Sequence, residues 1–414
     1  MFCGISKKFM ILEQNILESI ILILKNPDLY SHSHQKLIIK LEKDGFLIDK
    51  TYDEIESLRN RRNRFVYSKE YKTTLIPTFD CNYKCWYCIQ NHKSEIIDPE
   101  KIQLIIKHIK LYLLENNINS YILSWFGGEP LLQTDLISNF SIELYNFCIK
   151  NNIEFNGAIT SNGSLLNKEV IKKLYESHID YYQITLDGDK KHHDRIKYQK
   201  GELSSFETIL SNIVDLLKIN KRANLTLRIN YTSDTLKSKD FVNDVNSIIP
   251  EDIRNRISLD FQKVWQINEC EISLKDLYIL LKEFHKYGYK VDSRHVFSIC
   301  YVEKLHYNTI FYNGRVDKCD LRGMDKLRGY IDKSGKIIWN KKPIIQDINP
   351  LLDGSCCKKC KYYPLCYGCC PVRREENYIE EGKLTCKYKG YYEVFEHRIK
   401  DYCIRELIND NYEL

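Results

Sequence analysis

Thr73-Thr-Leu-Ile-Pro77-Thr-Phe-Asp-Cys81-Asn-Tyr-Lys-Cys85-Trp-Tyr-Cys88 is a short β-rich run that stops at a proline and opens into a loop carrying three cysteines. The strand-like part is the first of six. Similar runs at Tyr121–Trp125, Glu154–Ile159, Tyr181–Leu186, Leu225–Asn230 and Ile257–Val264 alternate with helical patterns. These helices fall at about Pro99–Glu115, Leu131–Lys150, Asn167–Ser177, Ser205–Asn220, Lys237–Ile249 and Leu274–Tyr287. Strand–helix alternation of this kind predicts an α/β fold with a parallel sheet and crossover helices. Right-handed crossovers would curl six units into a partial, TIM-like (β/α)6 barrel. Ligands of such folds bind at the carboxyl ends of the strands, so polar residues just after each strand are the candidates for chemistry.

The flanks read differently. Residues 1–70 predict a small helical or winged-helix module, with helices over Leu12–Lys25, His34–Lys43 and Tyr52–Arg64 and a short strand at Gly45–Asp49. The basic run Arg59-Asn-Arg61-Arg62-Asn-Arg64 reads as a solvated helix end. Beyond the barrel at 71–290, periodicity fades over 291–390, where turns and cysteines dominate and folding energy is expected from metal ligation. A helix over Tyr391–Ile408 dominates the last segment, 391–414.

Composition excludes several classes. With 43% apolar and 29% charged residues the chain is an ordinary globular protein. A formal charge of +6 over 414 residues, both signs interspersed, offers no concentrated basic face, so nucleic acid is not an expected partner. No run approaches the ~18–20 apolar residues of a membrane span. Met1–Lys8 lacks the pattern of a secretory signal, and the expected location is the cytoplasm. Sixteen cysteines in a reducing compartment argue against disulfides and, where clustered, for metal. The isolated Cys3, Cys148 and Cys403 read as small buried hydrophobes.

Cys81, Cys85 and Cys88 are spaced to hold three irons of a [4Fe–4S] cube, leaving the fourth iron open to an exogenous ligand. A four-thiolate zinc site would show paired Cys-x-x-Cys knuckles instead. The Cys-x3-Cys-x2-Cys spacing, with aromatic Tyr87 before the last cysteine, resembles the defining motif of the radical S-adenosylmethionine (SAM) superfamily. Gly127-Gly128-Glu129-Pro130, after the second strand, resembles the superfamily's GGEP element, which binds the SAM amino group. Thr160-Ser-Asn162-Gly resembles the element near the SAM carboxylate and ribose, and Thr185-Leu-Asp187-Gly the following one. His193-Asp194-Arg195-Ile-Lys197 is similar to an HD-x-x-R pattern, with lysine where arginine is usual. Arg228 and Asn230 close the fifth strand as further SAM contacts. The resemblance implies that the cluster and SAM together supply a 5′-deoxyadenosyl radical that abstracts a substrate hydrogen.

A second constellation follows: Cys300-x13-Gly314-x4-Cys319, then Cys357-x2-Cys360-x5-Cys366-x3-Cys370, then Cys386. This is similar to the seven-cysteine SPASM pattern, which implies two auxiliary [4Fe–4S] clusters. By position, Cys357, Cys360, Cys366 and Cys386 would ligate the outer one, and Cys300, Cys319 and Cys370 the inner one. Cys270, His295 or an open iron would complete the inner cluster, while Cys356 and Cys369 read as bystanders. Asp320 follows Cys319, where sulfatase-maturating relatives of this pattern place a substrate base; a capping aspartate in a turn is the alternative.

SPASM enzymes mostly modify peptides or proteins. The residues ahead of the barrel resemble the leader-recognition domains of ribosomal-peptide maturases, so the expected function is maturation of a precursor peptide by crosslink, thioether or similar chemistry. The alternatives are an anaerobic sulfatase-maturating, formylglycine-generating enzyme and a radical SAM enzyme with a non-peptide substrate. The expected electron donor is a reduced flavodoxin or ferredoxin.

Overall fold

The cysteine loop leaves the middle of one long sheet. The computed structural model describes all residues except 91, 93–94, 96, 198–203, 269–270, 295, 322–326, 341–355, 369, 382–385, 387–389, 391 and 411–414, and the side chains of 356 and 377–381. Seven strands run parallel in sequence order: β1 (Glu70–Ile76), β2 (Ser120–Trp125), β3 (Glu154–Ser161), β4 (Ile179–Leu186), β5 (Asn224–Tyr231), β6 (Ile257–Lys263) and β7 (Lys290–Val291). This is the expected parallel α/β architecture. On the far side of β1 the sheet continues through β8 (Tyr307–Phe311), β9 (Arg315–Asp317), β10 (Gly329–Ile331) and β11 (Ile337–Trp339). β8 lies parallel to β1, and the rest are antiparallel hairpin neighbours. The segment read as loop-rich therefore supplies four strands. Gly314, at φ +76°, makes the turn between β8 and β9 that its left-handed backbone permits.

Capping fixes where the crossover helices begin. Asp98 accepts from Glu100 N–H and Pro99 opens the helix Pro99–Glu115. Asn167, Ser204 and Ser273 cap three later helices in the same way. Their apolar stripes, such as Ile105, Ile109 and Leu113, join Tyr71, Leu123, Trp125, Ile184 and Leu227 in one core. The helix expected over Lys237–Ile249 is instead two short pieces, Ser233–Leu236 and Phe241–Asn246, broken where Lys237 N–H turns back to Asp234 O.

The chain clusters into two compact units. One holds the barrel strands and β8–β11, comprising 68–295, 304–344 and 400–414. The other combines 1–67, 296–303 and 345–399. In this second unit α1 (Gln14–Lys25), α2 (Gln35–Lys43) and α3 (Glu54–Val66) carry the N-terminal segment, with Ile20, Ile23 and Leu41 as their small core. The strand expected at Gly45–Asp49 is absent, because Phe46 and Leu47 N–H both fold back onto Leu41 O. Apart from the Phe2–Phe9 bridge this segment is helical, without strands for a wing. The basic run of α3 is not simply a solvated end either. Leu58, Arg62 and Val66 fall at i, i+4 and i+8 on the buried face, and Arg62 is only 3% exposed. Among the described residues, no helix is long and apolar enough to cross a membrane.

Candidate active site

The carboxyl ends of β1 to β5 bring most of the expected residues together. After β1 the chain turns through Thr78 and Asp80, and the end of β2 closes directly on that turn. Gly128 N–H donates to Thr78 O at 3.1 Å and Glu129 N–H to Asp80 O at 2.7 Å. A Cβ on Gly128 would lie 2.0 Å from Asp80 O, and one on Gly127 2.5 Å from Thr78 O. The two glycines thus serve a backbone-to-backbone approach that seats the cysteine loop.

Glu129 is wholly buried and ties this element to β3. Its carboxylate accepts from Leu131 N–H (2.9 Å), Ser161 Oγ (2.8 Å) and Asn162 N–H (2.7 Å). Burial raises its pKa, and these three donors pull the other way. Asn162 then reaches the cysteine loop. Its Nδ2 donates to Asn82 Oδ1 at 2.8 Å and lies 3.9 Å from Cys81 Sγ. Thr160, two residues earlier, instead lines a barrel cavity of about 680 Å³ with Lys72, Gln183 and Thr226.

A second group surrounds Cys85. Tyr87 donates from its hydroxyl to Asp187 Oδ1 at 2.7 Å, and Asn230 Nδ2 donates to both Tyr87 Oη and Asp187 Oδ1 at 3.1 Å. Arg228 stands behind, its Nε on Asn230 Oδ1 at 3.2 Å. Lys197 is buried, donating to Thr185 Oγ1 (2.6 Å) and Thr185 O (2.9 Å), with Asp187 Oδ2 at 3.5 Å. His193 accepts Asp187 N–H on Nδ1, which leaves the proton on its buried, unpartnered Nε2. Burial, then the Lys197 charge, holds its pKa well below the usual value, so the ring stays neutral. His193 and Lys197 belong to the HD-x-x-R-like stretch, but their partners Asp187 and Thr185, and the roles of Ser161 and Asn82, are revealed only by packing.

The loop fits a thiolate-bound cluster by its donor chemistry. Burial pushes the Cys81 thiol up to about 12 and Cys85 to about 11, while Lys197 and the Tyr87 hydrogen bond oppose the rise at Cys85. Such thiols ionise when a metal takes the proton's place. Asp187 Oδ2 is buried and makes no hydrogen bond, with Lys197 Nζ at 3.5 Å as its nearby cation. Cys88 Sγ lies 3.4 Å from His92 Nε2. Among the described residues no three His, Cys, Asp or Glu side chains converge as a single-ion site would, so the reading rests on the thiols and their cradle.

The remaining cysteines divide between the units. Cys300, Cys357, Cys360, Cys366, Cys370 and Cys386 lie in the unit with the N-terminal helices, and Cys319 lies with the sheet, just after β9. Cys357 and Cys360, with Ile5, pack against the buried pair Leu58 and Tyr363. Cys270, His295 and Cys369 lie outside the described residues. Asp320 has its carboxyl raised by burial, with the Lys72 ammonium of β1 drawing it back down.

Residues 75–238 match the family model of the radical SAM superfamily. A cysteine-type anaerobic sulfatase-maturating enzyme of Clostridium novyi (strain NT) is 25% identical over 355 residues, 76% of this chain and 92% of its own length. The radical SAM cyclopropyl synthase TigE of Paramaledivibacter caminithermalis is 24% identical over 195 residues, 42% of this chain and 40% of that protein. The solved structure of native anSMEcpe with bound AdoMet and Cp18Cys peptide shares the fold, with a TM-score of 0.54 at 19% identity, covering 83% of this chain and 99% of that one.

Proposed function

From the radical SAM domain that residues 75–238 form, we propose that this radical SAM enzyme modifies a residue of a ribosomally made peptide, using Cys81, Cys85 and Cys88 for its [4Fe–4S] cluster. When bound, cluster and SAM supply the 5′-deoxyadenosyl radical that removes a substrate hydrogen. The chain's own residues do the placing. Gly127, Gly128 and Glu129 hold the cysteine loop against the β2 end; Asn162 contacts its first thiol; Tyr87, Asp187, Asn230 and Lys197 form a polar wall beside its second.

Two auxiliary [4Fe–4S] clusters belong to this reading, on Cys357, Cys360, Cys366 and Cys386, and on Cys300, Cys319 and Cys370. Asp320 is the substrate base: its raised carboxyl accepts a proton more readily than a solvent-exposed aspartate. A reduced flavodoxin or ferredoxin supplies electrons.

One observation favours a leader-dependent maturase: the match to the C. novyi enzyme uses 92% of that protein yet leaves about a quarter of this chain over. The N-terminal segment also carries a groove of about 1170 Å³ along the outer face of α3, lined by Asp49, Tyr52, Glu56, Asn60 and Tyr67 among others. Tethering a leader there would raise the concentration of the core peptide at the radical site. The length of the same match supports the second reading, oxidation of a sulfatase cysteine to formylglycine. Reduced, reconstituted protein should cleave SAM to 5′-deoxyadenosine, and Asp320→Asn should keep that cleavage while losing product. Absence of 5′-deoxyadenosine with every donor tried removes the enzyme reading. Mass change on a precursor peptide, against formylglycine on a sulfatase peptide, decides between the two substrates.

A further inference from the structure

α3 carries a buried cation, Arg62, on the same face as Leu58. Arg62 Nε donates to Glu303 Oε2 at 2.8 Å. The other carboxylate oxygen of Glu303 accepts from Arg374 Nη2 at 3.0 Å. Arg374 Nη1 in turn donates to the carbonyls of Tyr367 and Gly368, inside the loop between Cys366 and Cys370. All three side chains are buried. Two guanidinium groups share this one carboxylate, and water screens them little.

The second observation is an orphan. Arg62 Nη2 is buried and has no hydrogen-bond partner. A buried donor without an acceptor is costly, and such a group in a native fold calls for an explanation. Leu58, one turn before Arg62 on the same face of α3, packs with Tyr363 against Cys357 and Cys360.

We propose that Arg62 is a positioning residue for the outer auxiliary cluster, its Nη2 donating to the sulfur of the group held by Cys357, Cys360, Cys366 and Cys386 and its charge raising that group's reduction potential. The inference rests on the auxiliary-cluster reading above. Hydrogen bonds to cluster sulfurs and nearby cations both favour the reduced state, which carries one more negative charge. On this view part of the N-terminal segment is redox housing, independent of any role in peptide binding.

The test uses the full chain with Cys81, Cys85 and Cys88 changed to Ala, so that only auxiliary clusters give a reduced EPR signal. Arg62→Gln should lower one midpoint by about 59 mV, a tenfold change in the reduced-to-oxidised ratio for a one-electron couple. Arg62→Lys, which keeps the charge, should recover much of the shift. Unchanged midpoints with full iron content overturn the proposal. Should Arg62→Gln fail to fold, ¹⁵N-arginine labelling of the protein with Arg62 intact replaces it. A ¹⁵N hyperfine coupling to the reduced auxiliary cluster is expected, lost in Arg62→Lys and kept in Arg374→Lys; no coupling, or the reverse pattern, overturns the assignment. Cys357→Ala/Cys360→Ala separately tests the premise, since unchanged iron in that variant removes the outer cluster itself and not merely the part played by Arg62.

Discussion

Lys197 carries a charge into a place where almost nothing is solvated, its side chain 3% exposed beside an Asp187 that is 1% exposed. The motif has arginine at this position in similar proteins, and a planar fork would address a carboxylate with two parallel bonds. The lysine here is a point donor, and the structure uses it so: two bonds to Thr185 and a longer approach to Asp187. Removing one partner of a buried pair costs about 3–5 kcal/mol, because the other charge stays buried. Lys197→Met should therefore lower the thermal midpoint markedly and abolish SAM cleavage; a variant as stable and active as the parent would show that Asp187 does not depend on it. His306 gives a pH prediction at the same scale. Burial first, then Lys69, Lys318 and Lys304, hold its pKa down at about 4, while its Nδ1 pairs with Tyr112 Oη at 2.9 Å. The unfolded chain binds that proton near pH 6.5 and the folded chain only near 4. Stability is thus complete above about 6.5 and is lost as pH falls toward 4. Circular-dichroism melts between pH 7 and 4.5 should show this loss, and His306→Gln should flatten it.

At the scale of elements, the clearest local signals were legible and the quiet ones were not. Asp98-Pro99 announces a helix start, and the helix runs over the expected Pro99–Glu115 because cap, proline and apolar stripe agree. β8 carries no alternation to read: all five residues from Tyr307 to Phe311 are buried, and β9, β10 and β11 have only three residues each. Their pairing is decided by the neighbouring strand and not by their own pattern. The glycine pair illustrates a subtler limit. Its motif points to ligand approach, whereas the structure shows it also sets how closely the ends of β1 and β2 meet. Gly128→Ala places a methyl 2.0 Å from Asp80 O, and that atom is backbone. The cysteine loop must move, at a cost of about 1–3 kcal/mol or more. Iron bound per chain should fall along with thermal stability; normal iron content would mean that the loop tolerates displacement.

At the scale of the whole molecule, the N-terminal segment is not separable from the cysteine-rich segment. Ile5 and Leu58 pack with Tyr363 against Cys357 and Cys360, and Arg61 donates to Ile5 O at 2.9 Å. Sequence gave no sign of this union, since the parts lie some 300 residues apart and the basic run that joins them reads as surface. Deleting residues 1–65 would then remove packing from Cys357 and Cys360 as well as any leader site, and a loss of activity would not distinguish the two. α3 itself offers the separation, because its two faces do different work. Leu58, Arg62 and Val66 point inward, while Glu56, Asn60 and Tyr67 line the outer groove. Glu56→Arg with Asn60→Arg reverses the charge of the groove and leaves the inner face intact. If the groove holds a precursor leader, this double variant should bind the precursor about tenfold more weakly, ~1.4 kcal/mol, with iron content and uncoupled SAM cleavage unchanged. Calorimetric titration of the precursor checks the first and iron assay the second. Equal affinity for parent and variant would place the leader elsewhere and leave α3 with its inner face alone.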